Sequence, residues 1–375
     1  MSQVNLQCRD CQVIFDYGMD LLHCRYCDVP LDVQYTSEKG TYIEVSGYQV
    51  RMPFDERTSL FSLGEGNTPV IELSKLGSFL GLDRLRAKLE FMNPTGSYKD
   101  RGTAVMLTVA RELGVTEIVE DSSGNAGASV SAYAARAGIK CHIFAPATAP
   151  AAKIKQIRVY GAEVHSIEGT RDDTTNAAVD FYKKEGLVYA SHAWSPFFSE
   201  GTKTFTFEVL GQYNGEVPDH IVFPVGNGGL YLGAWRGFSE LIATGQIDRM
   251  PRLHAVQSEN ISPIASEFIG DKWDIETIRP TIAGGIAVAV PARAGQVLDV
   301  LRETNGMAVM VDEVAVADMQ RMLARKEGVF AEPTSAAAFA GLSMLLSEGT
   351  ISRGDSVLVP VTGFGLKDEV RFSDD

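Results

Sequence analysis

Long apolar runs are missing from this sequence: no stretch approaches the roughly 20 residues needed to cross a bilayer. The opening MSQVNLQCRD has neither the basic start nor the apolar run of a secretory signal, so the chain reads as cytoplasmic, with no membrane partner. Basic residues are scarce too. Lys and Arg total 34 against 48 Asp and Glu, and the net charge of -14 argues against a nucleic-acid partner. A small-molecule substrate fits better. There is no internal repeat, no low-complexity tract, no GK[ST] of a P-loop and no complete dinucleotide fingerprint. Nor is there an obvious C-terminal regulatory domain, so amino-acid feedback through one is not expected.

At 375 residues the chain exceeds what one hydrophobic core serves, which points to two α/β domains and a small appendage. Cysteine is also sparse, yet four of the five fall in the first 27 residues. Cys8 and Cys11 form one CxxC, Cys24 and Cys27 a second, with 12 residues between them. Two such knuckles suit the tetrahedral thiolate site of a structural zinc, and a cytosolic setting disfavours structural disulfides. A redox pair, a ribbon that has lost its metal, and an iron centre are the other readings of this spacing. Cys141, within IKCHIFA, reads as a buried small hydrophobe.

From Gly66 onward short apolar runs alternate with longer helical stretches. LRAKLEF, EIVE, IKCHIFA, AEVHSI, LVYA, HIVFPV and SVLVPV predict strands. Helices are expected near 99–113, 126–137, 172–185, 200–212 and 230–243. EVAVADMQRMLARKEG sets Val316, Met319 and Leu323 on one helical face. Residues 36–64 mix short β-like runs with turn residues and read as a linker.

In open parallel sheets ligands bind beyond the carboxyl ends of strands, so the loops after the apolar runs are the places to search. NPTGSYKD delivers Lys99 to the start of a helix, where a cation needs a reason to be present, such as bonding to an aldehyde or facing a phosphate. An exposed, solvated lysine is the simpler alternative. DSSGNAGAS brings Ser122, Ser123, Gly124 and Asn125 to a helix N-terminus suited to a substrate carboxylate, or merely to a serine N-cap. VGNGG places Gly226, Asn227, Gly228 and Gly229 as a phosphate cradle before another helix. VTGFG sets the Thr362 hydroxyl at the end of the final strand.

Together and in this order, these segments resemble fold type II pyridoxal-phosphate enzymes (tryptophan synthase β-like), and in particular the threonine synthase family. The match runs over nearly all of the chain from Gly66. EGTKT, EGVFAEPTSAAAFAGL and TGFGLKD look like family segments as well. The resemblance implies that Lys99 of PTGSYKDR carries pyridoxal 5'-phosphate as a Schiff base. It further implies that Asn125 contacts the ring oxygen, Gly226 to Gly229 hold the phosphate, and Thr362 faces the pyridine nitrogen. A cysteine ribbon and a homodimer are likewise expected. A neutral hydroxyl at the ring nitrogen does not stabilise a pyridinium, which favours elimination or replacement over transamination.

The departures narrow the reaction. Threonine synthases typically carry Thr after the loop Asn and an NSxNPYR segment before EGxKT; here stand Ala126 and SHAWSPFF, with His192, Ala193 and Phe198 at the Asn, Ser and Arg positions. Leu230 replaces the Asn that often follows GNGG, and TIAGGIAVAVP is closer to the threonine and serine dehydratase version. Each lost charge-assisted bond to a substrate phosphate costs about 1.5 to 3 kcal/mol. The expectation is therefore a pyridoxal-phosphate lyase acting by α,β-elimination or β-replacement on a small threonine- or serine-like amino acid. His192 is a candidate acid, a substrate contact, or a packed histidine. Threonine synthase acting on O-phosphohomoserine is the alternative, provided arginines such as Arg101, Arg171 or Arg293 reach the phosphate. A noncatalytic binding protein is the rival from another class. The expected layout is a zinc-ribbon-like segment over 1–35, a linker over 36–64, a larger cofactor-binding domain from 65–120 with 206–375, and a smaller one over 121–205.

Overall fold

The computed structural model describes residues 4–36, 40–149 and 151–368. They divide into two compact units, Met1–Gly66 with Asn93–Thr204 and Asn67–Met92 with Phe205–Asp375. Among the described residues, no helix is long and apolar enough to cross a membrane.

The first unit is built on four parallel strands in the order Glu163–Ile167, Lys140–Pro146, Glu117–Glu120 and Val188–Tyr189. The central runs, with Ile118, Val119, Ile143 and Phe144, are buried, as expected of strands covered by crossover helices. Local signals set the helix limits. Arg171–Glu185 begins with a capping box between Thr170 and Asp173 and ends at Gly186 in the left-handed conformation.

Helix Lys99–Glu112 packs on Asn125–Ala137 and on Pro196–Thr202. A methyl group at Gly201 would overlap the Arg101 carbonyl, and one at Gly102 would lie 2.6 Å from the Phe198 ring. This close crossing explains why residues 93–120 cluster with 121–204, although their position after LRAKLEF suggested the larger domain. The expected helix over 200–212 is two helices, Pro196–Thr202 and Thr204–Gln212, interrupted at Lys203.

Ahead of this sheet lies a three-stranded antiparallel ribbon, Val4–Cys8 between Ile14–Phe15 and Leu31–Tyr35. The stretch read as a linker holds a hairpin, Thr41–Val45 with Tyr48–Met52. Its two turn residues, Ser46 and Gly47, have φ of 51° and 86°, the positive values a tight hairpin turn demands.

The second unit carries six strands in the order Ala308–Val311, Arg252–Ser258, His220–Pro224, Ser356–Pro360, Arg84–Lys88 and Val70–Glu72; only the last is antiparallel to its neighbour. Val316, Met319 and Leu323 are buried on one face as the spacing predicts. Lys88 is fully buried, donating to Glu208 Oε2 and Gln212 Oε1 at 2.8 Å and to the Thr68 carbonyl at 2.9 Å. Glu208 also accepts from the Asn67 amide at 2.7 Å, so neither buried charge lacks partners.

Two histidines in the same unit settle each other's tautomer. The Met307 amide donates to His254 Nδ1 at 3.1 Å, which leaves His254 Nε2–H to donate to His220 Nδ1 at 2.9 Å. Burial, then neighbouring His220 and Arg252, push His254 down to about 3. The unfolded chain takes up this proton below about pH 6.5, whereas the folded one resists it until about pH 3. Stability present above pH 6.5 is therefore lost as the pH falls, by about 1.4 kcal/mol per unit from this residue. Urea unfolding at about pH 7.5 and about pH 5 should differ by about 2 kcal/mol on this account. His254→Gln should flatten that slope, and an unchanged slope would refute the neutral tautomer chain.

Candidate active site and metal centre

In the first unit the turn before Lys99 is held by a buried carboxylate. Asp100 accepts from the Thr95 amide at 2.7 Å, from the Thr95 hydroxyl at 2.6 Å and from Ser129 Oγ at 2.6 Å. The turn is thereby pinned to helix Asn125–Ala137, and Lys99 becomes the first residue of its own helix. Lys99 Nζ lies 4.9 Å from the Tyr98 ring centroid and 5.6 Å from that of Phe198. Ser97 Oγ, two residues earlier, is buried with no hydrogen-bond partner among the described residues.

The Asn125 loop folds back on its helix because Gly127 has no side chain: a methyl there would overlap the Ser122 carbonyl. The Gly124 amide donates to Ser122 Oγ at 3.3 Å. The N-cap is Gly124, with no side-chain cap bond, so the serine N-cap does not apply. Ser122, Ser123, Gly124 and Asn125 thus surround the start of helix Asn125–Ala137, where helix N-termini in general receive anions.

Beside this loop is a pair that sequence reading did not join. Glu120 ends strand Glu117–Glu120, and its Oε1 lies 2.8 Å from His192 Nδ1, while the His192 amide donates to Oε2 at 3.3 Å. Burial, reinforced by Asp121, pushes Glu120 well above the usual carboxylate range. Burial and then the nearby Lys99 cation push His192 well below the usual imidazole value. Both shifts favour the neutral pair, with Glu120 O–H donating to Nδ1 and the remaining proton on Nε2. The His192 ring meets Phe198 edge-on with centroids 6.0 Å apart. Phe198 therefore touches both the Lys99 ammonium and the His192 ring. The sequence signal for Glu120 was a carboxylate closing an apolar strand run.

The second unit holds the other set. Gly228, at φ 80°, caps helix Gly229–Ala243 without a side-chain bond, and a methyl there would lie 2.6 Å from Val297 Cγ2. Gly226 is hemmed in by Val288, Ile286 and Gly285. The loop is thus backbone-lined at a helix N-terminus, the arrangement a phosphate needs. Thr362 is buried, with Oγ1 2.9 Å from Ser335 Oγ and 3.4 Å from Glu332 Oε1; Ser335 and Glu332 were not anticipated. Within the first unit, the Lys99 amine is a group that an aldehyde can take; within the second, the loop with crowded Gly226 and Gly228 suits a phosphate, and the Thr362 hydroxyl is a neutral partner for a pyridine nitrogen.

The four ribbon cysteines come together, with all Sγ atoms within 4.8 Å of one another and Cys11 to Cys24 at 3.6 Å. Sulfurs around a tetrahedral zinc, each bonded at about 2.3 Å, stand about 3.8 Å apart. The two knuckles repeat one conformation. Cys8 and Cys24 each accept from the amide four residues on and donate to the carbonyl five residues on, and Gln12 and Asp28 both have positive φ. The ribbon is anchored by Tyr35, whose hydroxyl donates to Glu200 Oε2 at 2.5 Å; Glu200 in turn accepts from Lys203 at 2.7 Å. Tyr17 meets Phe197, and His23 meets Trp194, in edge-on contacts of 5.5 and 5.7 Å. Phe197 and Phe198 are core residues.

The family described as "Pyridoxal-phosphate dependent enzyme" matches residues 61–363. Threonine synthase of Methanocaldococcus jannaschii is 40% identical over 332 residues, covering 87% of this chain and 81% of that protein. Threonine synthase of Methanosarcina acetivorans is 34% identical, covering 97% and 92%. Among solved structures, L-serine ammonia-lyase from Rhizomucor miehei shares the fold with a TM-score of 0.70 at 22% identity, covering 80% of this chain and 94% of that one. The processed form of threonine deaminase isoform 2 from Solanum lycopersicum aligns with a TM-score of 0.68 at 22% identity, covering 79% of each chain. The chain belongs to the pyridoxal-phosphate-dependent enzyme family, with the α/β architecture of fold type II, and is a lyase of the threonine synthase type.

Proposed function

We propose that the enzyme catalyses α,β-elimination or β-replacement on a small, unphosphorylated hydroxy amino acid, with threonine or serine deamination the simplest case. The observation that carries this reading is the buried Glu120–His192 pair, bridged to Lys99 by Phe198. Pyridoxal phosphate, when bound, supplies the electron sink that makes the substrate Cα–H acidic. We assign it to Lys99 and Asn125, to the cradle Gly226, Asn227, Gly228 and Gly229, and to Thr362. Lys99 Nζ takes up the Cα proton. Ser122, Ser123 and Gly124 receive the substrate carboxylate. His192 Nε2–H, kept protonated by the proton shared between Nδ1 and Glu120, assists the departing hydroxyl.

Three side-chain commitments support an unphosphorylated substrate. Arg171 is paired with Asp121 at 2.7 Å, Arg101 is buried and donates to Thr204 at 3.1 Å, and Arg293 is buried and donates to Gln296 at 2.7 Å. The second reading, threonine synthase acting on O-phosphohomoserine, is favoured by the names of the relatives at 33–40% identity.

The holoenzyme should release ammonia and a 2-oxo acid from threonine or serine. Phosphate and threonine from O-phosphohomoserine would establish the second reading instead. His192→Ala should lower kcat by about 100-fold or more while the visible absorbance of the lysine-bound cofactor persists. Lys99→Ala should abolish that absorbance, and a protein that never showed it would be the noncatalytic rival.

We assign a structural zinc to Cys8, Cys11, Cys24 and Cys27, which leaves no open position for catalysis. Metal analysis should give about one thiolate-bound zinc per chain, lost in Cys24→Ser; iron or no metal would refute the assignment. A cytoplasmic homodimer completes the reading, and light scattering giving a monomer mass would contradict that state.

A further inference from the structure

A second cluster of ligand atoms lies on the sheet of the first unit. Strands Lys140–Pro146 and Glu163–Ile167 run parallel, with Glu163 opposite His142 and His165 opposite Phe144. Side chains two apart on a strand share a face. Glu163 and His165 therefore project on the same side as His142, and this register alone brings two imidazoles and a carboxylate together.

His142 Nδ1 lies 3.0 Å from His165 Nε2 and 3.5 Å from Glu163 Oε2, and His165 Nε2 lies 3.7 Å from Glu163 Oε1. Ligands bonded to one tetrahedral zinc at about 2.0 Å stand about 3.3 Å apart. The three separations lie around that value, the two to Glu163 being made by its two different carboxylate oxygens.

The protonation pattern also suits a metal. His142 Nε2 lies 2.6 Å from Glu117 Oε1, so its proton is held there and Nδ1 presents its lone pair inward. Ligating histidines are commonly oriented by such a carboxylate on the other ring nitrogen. Without an ion, the His165 Nε2 proton bridges to His142 Nδ1. On binding, that proton leaves Nε2, the neutral His165 ring carries its proton on Nδ1, and the ion takes the place between the two nitrogens.

The setting combines rigidity with access. The His142 side chain is buried, His165 is stacked on Phe144 with centroids 4.4 Å apart, and Glu163 is exposed. Lys140 Nζ, 3.8 Å from Glu163 Oε2 and 2.7 Å from Glu117 Oε1, is the cation now serving these carboxylates. Its side chain is solvent-exposed.

We propose that His142, His165 and Glu163 form a second metal site, taking a borderline divalent ion such as zinc through two imidazole nitrogens and one carboxylate, with Glu117 orienting His142. The open side leaves a fourth position for water. This site shares no ligand with the cysteine ribbon and does not depend on the proposed reaction. Its ion would clamp the edge strand Glu163–Ile167 to its neighbour.

The test is a zinc count on the full-length holoenzyme equilibrated with a buffer holding free zinc below micromolar. The wild type should hold one ion more per chain than His165→Gln, and Glu163→Gln should weaken that ion at least about tenfold. Cobalt substitution separates the two sites. The thiolate centre gives sulfur-to-cobalt charge-transfer bands, which should be unchanged in both variants, whereas the extra ion adds only weak visible bands that His165→Gln removes. Equal zinc in wild type and variants overturns the proposal. So does an additional ion that appears only at millimolar zinc, an adventitious ion only. Cofactor absorbance shows that the variants are folded.

Discussion

Two helices of the first unit cross with no room for a methyl group between them, and much of the site follows from that contact. Gly201 lies against the Arg101 carbonyl and Gly102 against the Phe198 ring, so the EGTKT segment is seated directly on the helix that begins with Lys99. Phe198 thereby reaches the lysine, His192 reaches Phe198, and Glu200 is oriented to receive Tyr35 from the ribbon. These glycines act through distance. Any side chain at either position would separate the lysine from the aromatic wall.

Buried carboxylates organise what the crossing brings together. Asp100 fixes the turn ahead of Lys99, Glu120 holds His192, Glu208 neutralises Lys88, and Glu200 joins Lys203 to the ribbon. Each is held by several donors or by a cation, the condition under which a buried acid can be retained without a large desolvation cost. Glu120, Glu208 and Glu200 each tie together segments at least 72 residues apart in sequence.

Much of this was legible in the sequence because ordered loops carry it. Lys99 at a helix start, Asn125 opening the next helix, Gly228 with positive φ at a cap, and Thr362 after the last strand all lie where the motifs indicated. Parallel strands were equally readable, since their apolar runs are short and well separated. The pairing of Glu120 with His192 was hidden, because it depends on strand Val188–Tyr189 lying beside Glu117–Glu120, which no local pattern encodes. The grouping of residues 93–120 was hidden for the same reason. It is decided by a glycine contact across about a hundred positions, as the separation of Gly102 and Gly201 shows. The hairpin over 41–52 was obscured by a turn of Ser46 and Gly47, a pair weaker than Asn-Gly.

The strand order of the second unit bears on how the chain acquires its structure. Ser356–Pro360 is inserted between His220–Pro224 and Arg84–Lys88, so the final strand is an interior one. Until it is made, Arg84–Lys88 has only the short Val70–Glu72 beside it and an unpaired edge on its other side. A ribosome must therefore extrude more than two hundred and fifty residues beyond Lys88 before that edge is sealed, as the positions of the two strands require. Such delayed, non-local pairing folds slowly and exposes a strand edge to neighbouring chains. Until the C-terminal strand arrives, the free edge of Arg84–Lys88 is thus the part of the nascent sheet most open to pairing with another chain.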